Sequence, residues 1–134
     1  MASILDIEGV GPAFAAKLKA AGVATVEALL EKAASAKGRK DLAAASGLDE
    51  TRILEWVNRA DLYRIKGVAS EYSDLLEAAG VDSPAELAHR VPANLVAKMT
   101  ELNAAKKIVR KLPTESQVAD WVEQSKKLPK LVTH

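Results

Sequence analysis

Apolar residues recur at three- and four-residue spacing along nearly the whole chain, and most such runs open on a capping residue or close on a glycine. Phe14, Leu18 and Ala21 fall on one face of a segment bounded by Pro12 and Gly22. Proline loses nothing at a helix's first position, where the N–H has no intrahelical partner, and glycine accepts the left-handed turn that ends a helix. Thr25 caps a second run carrying Val26, Leu29, Leu30 and Ala33. Asp49 opens what reads as the longest helix, with Ile53, Trp56, Val57 and Ala60 as its apolar stripe. Further along, Ser83, Pro84 and Glu86 read as N-cap, first and third residues of a capping box, and Thr114 with Gln117 repeats the device. The pattern predicts about eight to ten short helices, with no low-complexity tract and no long linker.

The chain also repeats itself. Residues 7–23, IEGVGPAFAAKLKAAGV, return at 65–81 as IKGVASEYSDLLEAAGV, so that Ile7, Gly9, Val10, Leu18, Gly22 and Val23 match Ile65, Gly67, Val68, Leu76, Gly80 and Val81. Phe14 corresponds to Tyr72. After a seven-residue shift, LDETRILEWVNRA (48–60) aligns with PTESQVADWVEQS (113–125) and sets Trp56 opposite Trp121. Two related units, residues 1–64 and 65–134, are therefore expected to pack as a pseudo-symmetric pair in one compact domain, the two tryptophans filling a shared core.

Composition narrows the class. Hydrophobic residues form 49% of the 134, much of that alanine, and aromatics only 4%, which suits closely packed helices and predicts an all-α protein. Cysteine is absent, so disulfides, thiolate metal sites and a cysteine nucleophile are excluded. Neither a secretory leader pattern nor a run approaching the ~20 apolar residues of a membrane span is present, and a cytoplasmic protein is the default expectation. Net charge is only +1, but it is unevenly spread: residues 1–62 carry 8 basic and 9 acidic side chains, 63–97 carry 3 and 5, and 98–134 carry 8 and 4.

The chemistry suggested by the repeat lies in its turn. A helix, a turn of the form apolar-x-Gly-apolar-Gly and a second helix ending in AAGV resemble the helix-hairpin-helix motif, here through Ile7, Gly9, Val10, Gly11, Pro12, Ala16 and Leu18. Glycines there permit left-handed dihedrals and close approach, so backbone N–H groups and the following helix's amino terminus can face a phosphate oxygen. Such contacts hold a nucleic-acid backbone without reading bases. Lys17 and Lys19 are expected to add exposed charge. A tight turn between packed helices needs glycine in any case, which is the competing structural reading. In the second turn Ala69 and Ser70 replace glycine and proline, and Glu71, Asp74 and Glu77 should repel a phosphodiester, although Lys66 precedes them.

Over nearly its whole length the chain resembles a small bacterial family, the domain of unknown function 4332 family, through both turns and through KGRKDLA (37–43), ILEWVNRADLYRIKGV (53–68), YSDLLEAAGVDS (72–83) and DWVEQSKKLP (120–129). The resemblance implies tandem helix-hairpin-helix units with additional helices and a nucleic-acid role, DNA before RNA. It brings no catalytic residues.

Other charged groups are read against plainer alternatives. Lys37, Arg39 and Lys40 form a cationic cluster that could hold a phosphate, but three charges beside a helix start are more often a solvated surface. If residues 98–111 are helical, Lys106 and Arg110 share one face and Lys107 and Lys111 an adjacent one, making a basic ridge for a nucleic-acid backbone, without interleaved aromatics to stack bases. His89 and His134 make no metal site, His134 being expected to be disordered, and neither a cofactor motif nor a catalytic constellation is evident. The expectation is a non-enzymatic, sequence-nonspecific nucleic-acid binder, with Gly9, Val10 and Gly11 on the phosphates and Lys17, Lys19, Lys107 and Arg110 assisting. The alternative is a protein-interaction scaffold whose hairpins are structural.

Overall fold

In the computed structural model, which describes residues 3–7 and 9–133, the described residues form eight α-helices and a short 3-10 turn, Ile4–Asp6. The helices are α1 (Pro12–Ala20), α2 (Val26–Ala33), α3 (Ala36–Ser46), α4 (Glu50–Leu62), α5 (Ser70–Ala78), α6 (Pro84–Leu87), α7 (Pro92–Lys106) and α8 (Glu115–Lys127). No strand occurs among them; an isolated bridge joins Ser3 to Thr25. The protein is all-α. Its longest helix is α7 with 15 residues rather than α4 with 13. His134 lies outside the described residues.

The caps follow the sequence closely. Thr25 Oγ1 accepts from Ala28 N at 3.0 Å, and Thr114 with Gln117 forms a reciprocal capping box. Ser83 accepts from Glu86 N at 3.2 Å, but the Glu86 carboxylate turns to Arg90 Nε instead, also at 3.2 Å, so that box is only half made.

The chain divides into two compact units, Met1–Asp61 with Leu131–His134, and Leu62–Lys130. Relative to the expected units of 1–64 and 65–134, the segment from Leu131 belongs with the first half. In unit 1, α2 packs on α3 and α1 meets both α3 and the 3-10 turn. Its interior includes Ile4, Ile7, Leu18, Leu29 and Ile53, none more than 1% exposed. In unit 2, α8 packs against α6 and α7, and α5 against α7, around Leu75, Leu76, Leu87, Leu95, Met99 and Trp121. Each tryptophan packs on an aromatic ring of its own unit, Trp56 on Phe14 in unit 1 and Trp121 on Tyr72 in unit 2.

Two further expectations are corrected by local physics. Lys37, Arg39 and Lys40 lie within α3, which Ser35 caps, and Arg39 is buried. Its Nη1 donates to the carbonyls of Ala33 and Ala34, both at 3.0 Å, and its Nη2 to the carbonyl of Thr133. The segment around Val132, itself 3% exposed, is thereby strapped to unit 1, with Thr133 N donating to Ala34 O. The basic ridge over 98–111 does not form. Helix α7 stops at Lys106 because Lys107 takes a left-handed conformation, φ 50°, while Asn103 accepts from Lys107 N through its carbonyl and from Val109 N through its side chain. Val109 then turns inward and is buried, leaving Arg110 and Lys111 in an exposed loop.

Candidate nucleic-acid interface

The two glycine turns share one backbone. Gly9 and Gly67 have φ of +91° and +98°, a region that side-chain-bearing residues avoid, and each faces the indole nitrogen of its own unit's tryptophan. Val10 N donates to Ile7 O and Val68 N to Ile65 O, both at 3.1 Å. Each following helix ends in the same glycine-based cap. Val23 N reaches Leu18 O and Val81 N reaches Leu76 O at 2.8 Å, with Gly22 and Gly80 at φ near +90°.

The second glycine of the first turn is different in kind. Gly11 has φ −81° and ψ 175°, ordinary extended backbone, and a Cβ built on it meets no atom within 4 Å. Ala69, its counterpart, takes the same N-cap role at φ −117° and ψ −168°. The turn without its second glycine thus forms equally well.

Donors at the first turn come from the start of α1. Val10 is 4% exposed and its N–H is spent on Ile7, so it contributes neither side chain nor amide. Among the described residues no acceptor is found for the N–H groups of Gly11, Ala13 and Phe14, and the N-cap side chain that would ordinarily cover them is missing. The same stretch, Gly9–Phe14, lines a shallow concavity of about 490 Å³ together with Leu5 and Ile7. Leu5, 48% exposed, gives it an apolar wall. Lys17 and Lys19 are exposed but belong to the last turn of α1, about 7–11 Å along the axis from Pro12. There they complement the carboxyl end of the helix dipole.

Sequence reasoning missed Arg52. It is exposed on α4, its Cζ lying 4.8 Å from the centroid of the Phe14 ring, which in turn packs against Trp56 at 5.4 Å. Arg52 stands four residues before Trp56, one helical turn away. That one-turn spacing from a tryptophan on the apolar stripe was the available signal.

At the second turn the Lys66 peptide is occupied. Gln124 Oε1 accepts from Lys66 N at 2.8 Å, and Gln124 Nε2 donates to Lys66 O at 3.0 Å. Glu71 is exposed in the first turn of α5. Tyr72 Oη donates to Lys111 O at 3.1 Å, so the loop carrying Lys107, Arg110 and Lys111 is tied to the start of α5 within unit 2. Lys107 and Arg110 thus belong to a different unit from Gly9, Val10, Gly11, Lys17 and Lys19.

Among the described residues no group of three or more His, Cys, Asp or Glu side chains converges, and no helix is long and apolar enough to cross a membrane. No curated protein and no solved structure shows a significant match to the chain. A family model, described as a domain of unknown function, matches residues 8–128, covering both turns and all but the last residues of the second repeat; the chain belongs to that family, DUF4332.

Proposed function

We propose that the first turn and the amino terminus of α1 bind the phosphate backbone of a nucleic acid, in the manner of a helix-hairpin-helix, without reading sequence and without catalysis. The observation that carries this reading is Gly11. The fold does not require a glycine there, and in the second unit alanine occupies the equivalent place with the same backbone. What the missing side chain does provide is room beside three N–H groups, at the positive end of a helix, that find no acceptor among the described residues. Duplex DNA is the favoured ligand because it presents closely spaced phosphates, and the resemblance points the same way. All five aromatic residues are buried or half-buried, which leaves no exposed platform for stacking bases. A cytoplasmic location goes with this proposal.

The test is fluorescence anisotropy of a labelled duplex of about 20 base pairs, titrated at low and at physiological salt. Wild type should bind with micromolar affinity that falls steeply with salt. Gly11→Glu, whose side chain enters open space, should fold, as circular dichroism would verify, and lose binding. Absence of binding at low salt overturns the proposal. The second reading, a protein-docking scaffold, is favoured by one observation, the exposed Leu5 wall of the concavity. It requires an interaction that persists at high salt and weakens in Leu5→Ser.

A further inference from the structure

We infer that Arg52 is a phosphate-binding residue of the first unit, a role that rests on the proposed function of the neighbouring turn. Three observations combine. First, the guanidinium is held rather than free to sweep: it lies 4.8 Å over the Phe14 ring, and that ring is fixed by its tilted contact with the buried Trp56. Second, among the described residues no ion pair or hydrogen bond joins it to a carboxylate. A guanidinium engaged by a ring face rather than by a carboxylate keeps its N–H donors for a phosphate, which takes two of them at once. Third, Phe14 is itself part of the lining of the concavity beside Gly9 and Gly11, and the arginine lies against that ring.

Unit 2 supplies the comparison. Tyr72 packs on Trp121 with nearly the same geometry as Phe14 on Trp56, 5.2 Å and 52° against 5.4 Å and 55°. The residue aligned with Arg52 is Gln117, and its side chain is consumed in the α8 capping box, accepting from Thr114 N at 2.9 Å. In unit 1 the corresponding cap is made by Asp49, which accepts from Thr51 N at 3.4 Å, so position 52 is released from capping. A residue with no duty in its own helix, charged, oriented and next to an open turn, is suited to bind the anion that the turn faces.

The experiment measures duplex binding as a function of salt for wild type, Arg52→Gln and Arg52→Lys, with thermal melts of each. Loss of one phosphate contact lowers the slope of log K against log salt by about 0.9, so the wild-type advantage over Arg52→Gln should shrink about 3.5-fold between roughly 50 and 200 mM salt. Arg52→Lys keeps the charge but not the planar fork, and should restore the slope with only part of the affinity. Binding by wild type together with an unchanged slope in Arg52→Gln overturns the role of Arg52 while leaving the proposed function standing. A lowered melting temperature with an unchanged slope overturns that role too, since it assigns the arginine to packing on Phe14. No binding by wild type at all overturns both.

Discussion

Substituting alanine for each glycine of the two turns separates what the fold demands from what it leaves open. At Gly9 the backbone sits at φ +91°, and alanine must either hold that angle or distort the turn, at a cost of about 1–2 kcal/mol. At Gly67 the angle is similar, φ +98°, but the new Cβ would lie 3.0 Å from Trp121 Nε1, compared with 3.6 Å from Trp56 Nε1 at Gly9. Trp121 is 2% exposed and backed by Tyr72, so it yields poorly, and the expected loss rises to about 2–3 kcal/mol. At Gly11 neither term applies. Alanine is a poorer N-cap than glycine, but it also restricts the unfolded chain, and the two effects offset to within about 0.5 kcal/mol. Urea unfolding followed by tryptophan fluorescence reports each variant's midpoint, with Trp56 and Trp121 as probes of their own units. The expected order of destabilisation is Gly67→Ala, then Gly9→Ala, then Gly11→Ala indistinguishable from wild type. A loss at Gly11→Ala equal to that at Gly9→Ala would mean that the fold holds this glycine, and the argument for the first turn as an anion site would fail with it.

Three further outcomes follow from the hydrogen-bond pattern. Arg39→Met strands the carbonyls of Ala33 and Thr133 and leaves Ala34 O with the bond from Thr133 N alone; it should cost about 2–4 kcal/mol and expose the chain after Lys130 to trypsin, read by limited proteolysis and mass spectrometry. Lys107→Gly relieves a left-handed lysine at the end of α7 and should stabilise the protein by about 0.5–1 kcal/mol, measured as a rise in melting temperature. Gln124→Ala removes both bonds to the Lys66 peptide; it should cost about 1 kcal/mol and speed hydrogen exchange at Lys66 N relative to its neighbours.

Helix positions were legible because their signals are local. A threonine cap, a proline at a first turn and a glycine at an end each act over about four residues, and the sequence displays them in order. The misreadings lie where distant residues decide. Arg39 looks like a surface charge in KGRKDLA, yet three carbonyls, one of them 94 residues away, draw it inside. The supposed ridge around Arg110 fails because Val109 is needed in the interior of unit 2, and Asn103 caps the helix early to deliver it. Val10, by its place in the motif, offers an amide to phosphate, but the turn itself uses that N–H. In each case the local pattern was satisfied and a hydrogen bond or a core position that the pattern does not display overrode its reading.

The duplication makes unit 2 an internal control for unit 1. Where the geometry is exacting, the two units keep the same residue: glycine at 9 and 67 with φ above +90°, glycine at 22 and 80 at the helix ends, valine at 23 and 81 closing the caps. Where the geometry is permissive, they have diverged. Gly11 faces Ala69, Lys19 faces Glu77 and Arg52 faces Gln117, on backbones that remain alike at the turn and along the first helix. Because packing does not require these differences, their direction is informative. At all three positions unit 1 holds the smaller or the more cationic residue; two of the three lie on α1 or at its cap, while the third is stacked on its Phe14. Two aligned positions run the other way, Glu8 facing Lys66 and Asp49 facing Thr114. Open backbone at Gly11 and positive charge at Lys19 and Arg52, where the twin turn is bonded to Gln124 and flanked by Glu71, are the differences that the proposed phosphate contact of the first turn would use.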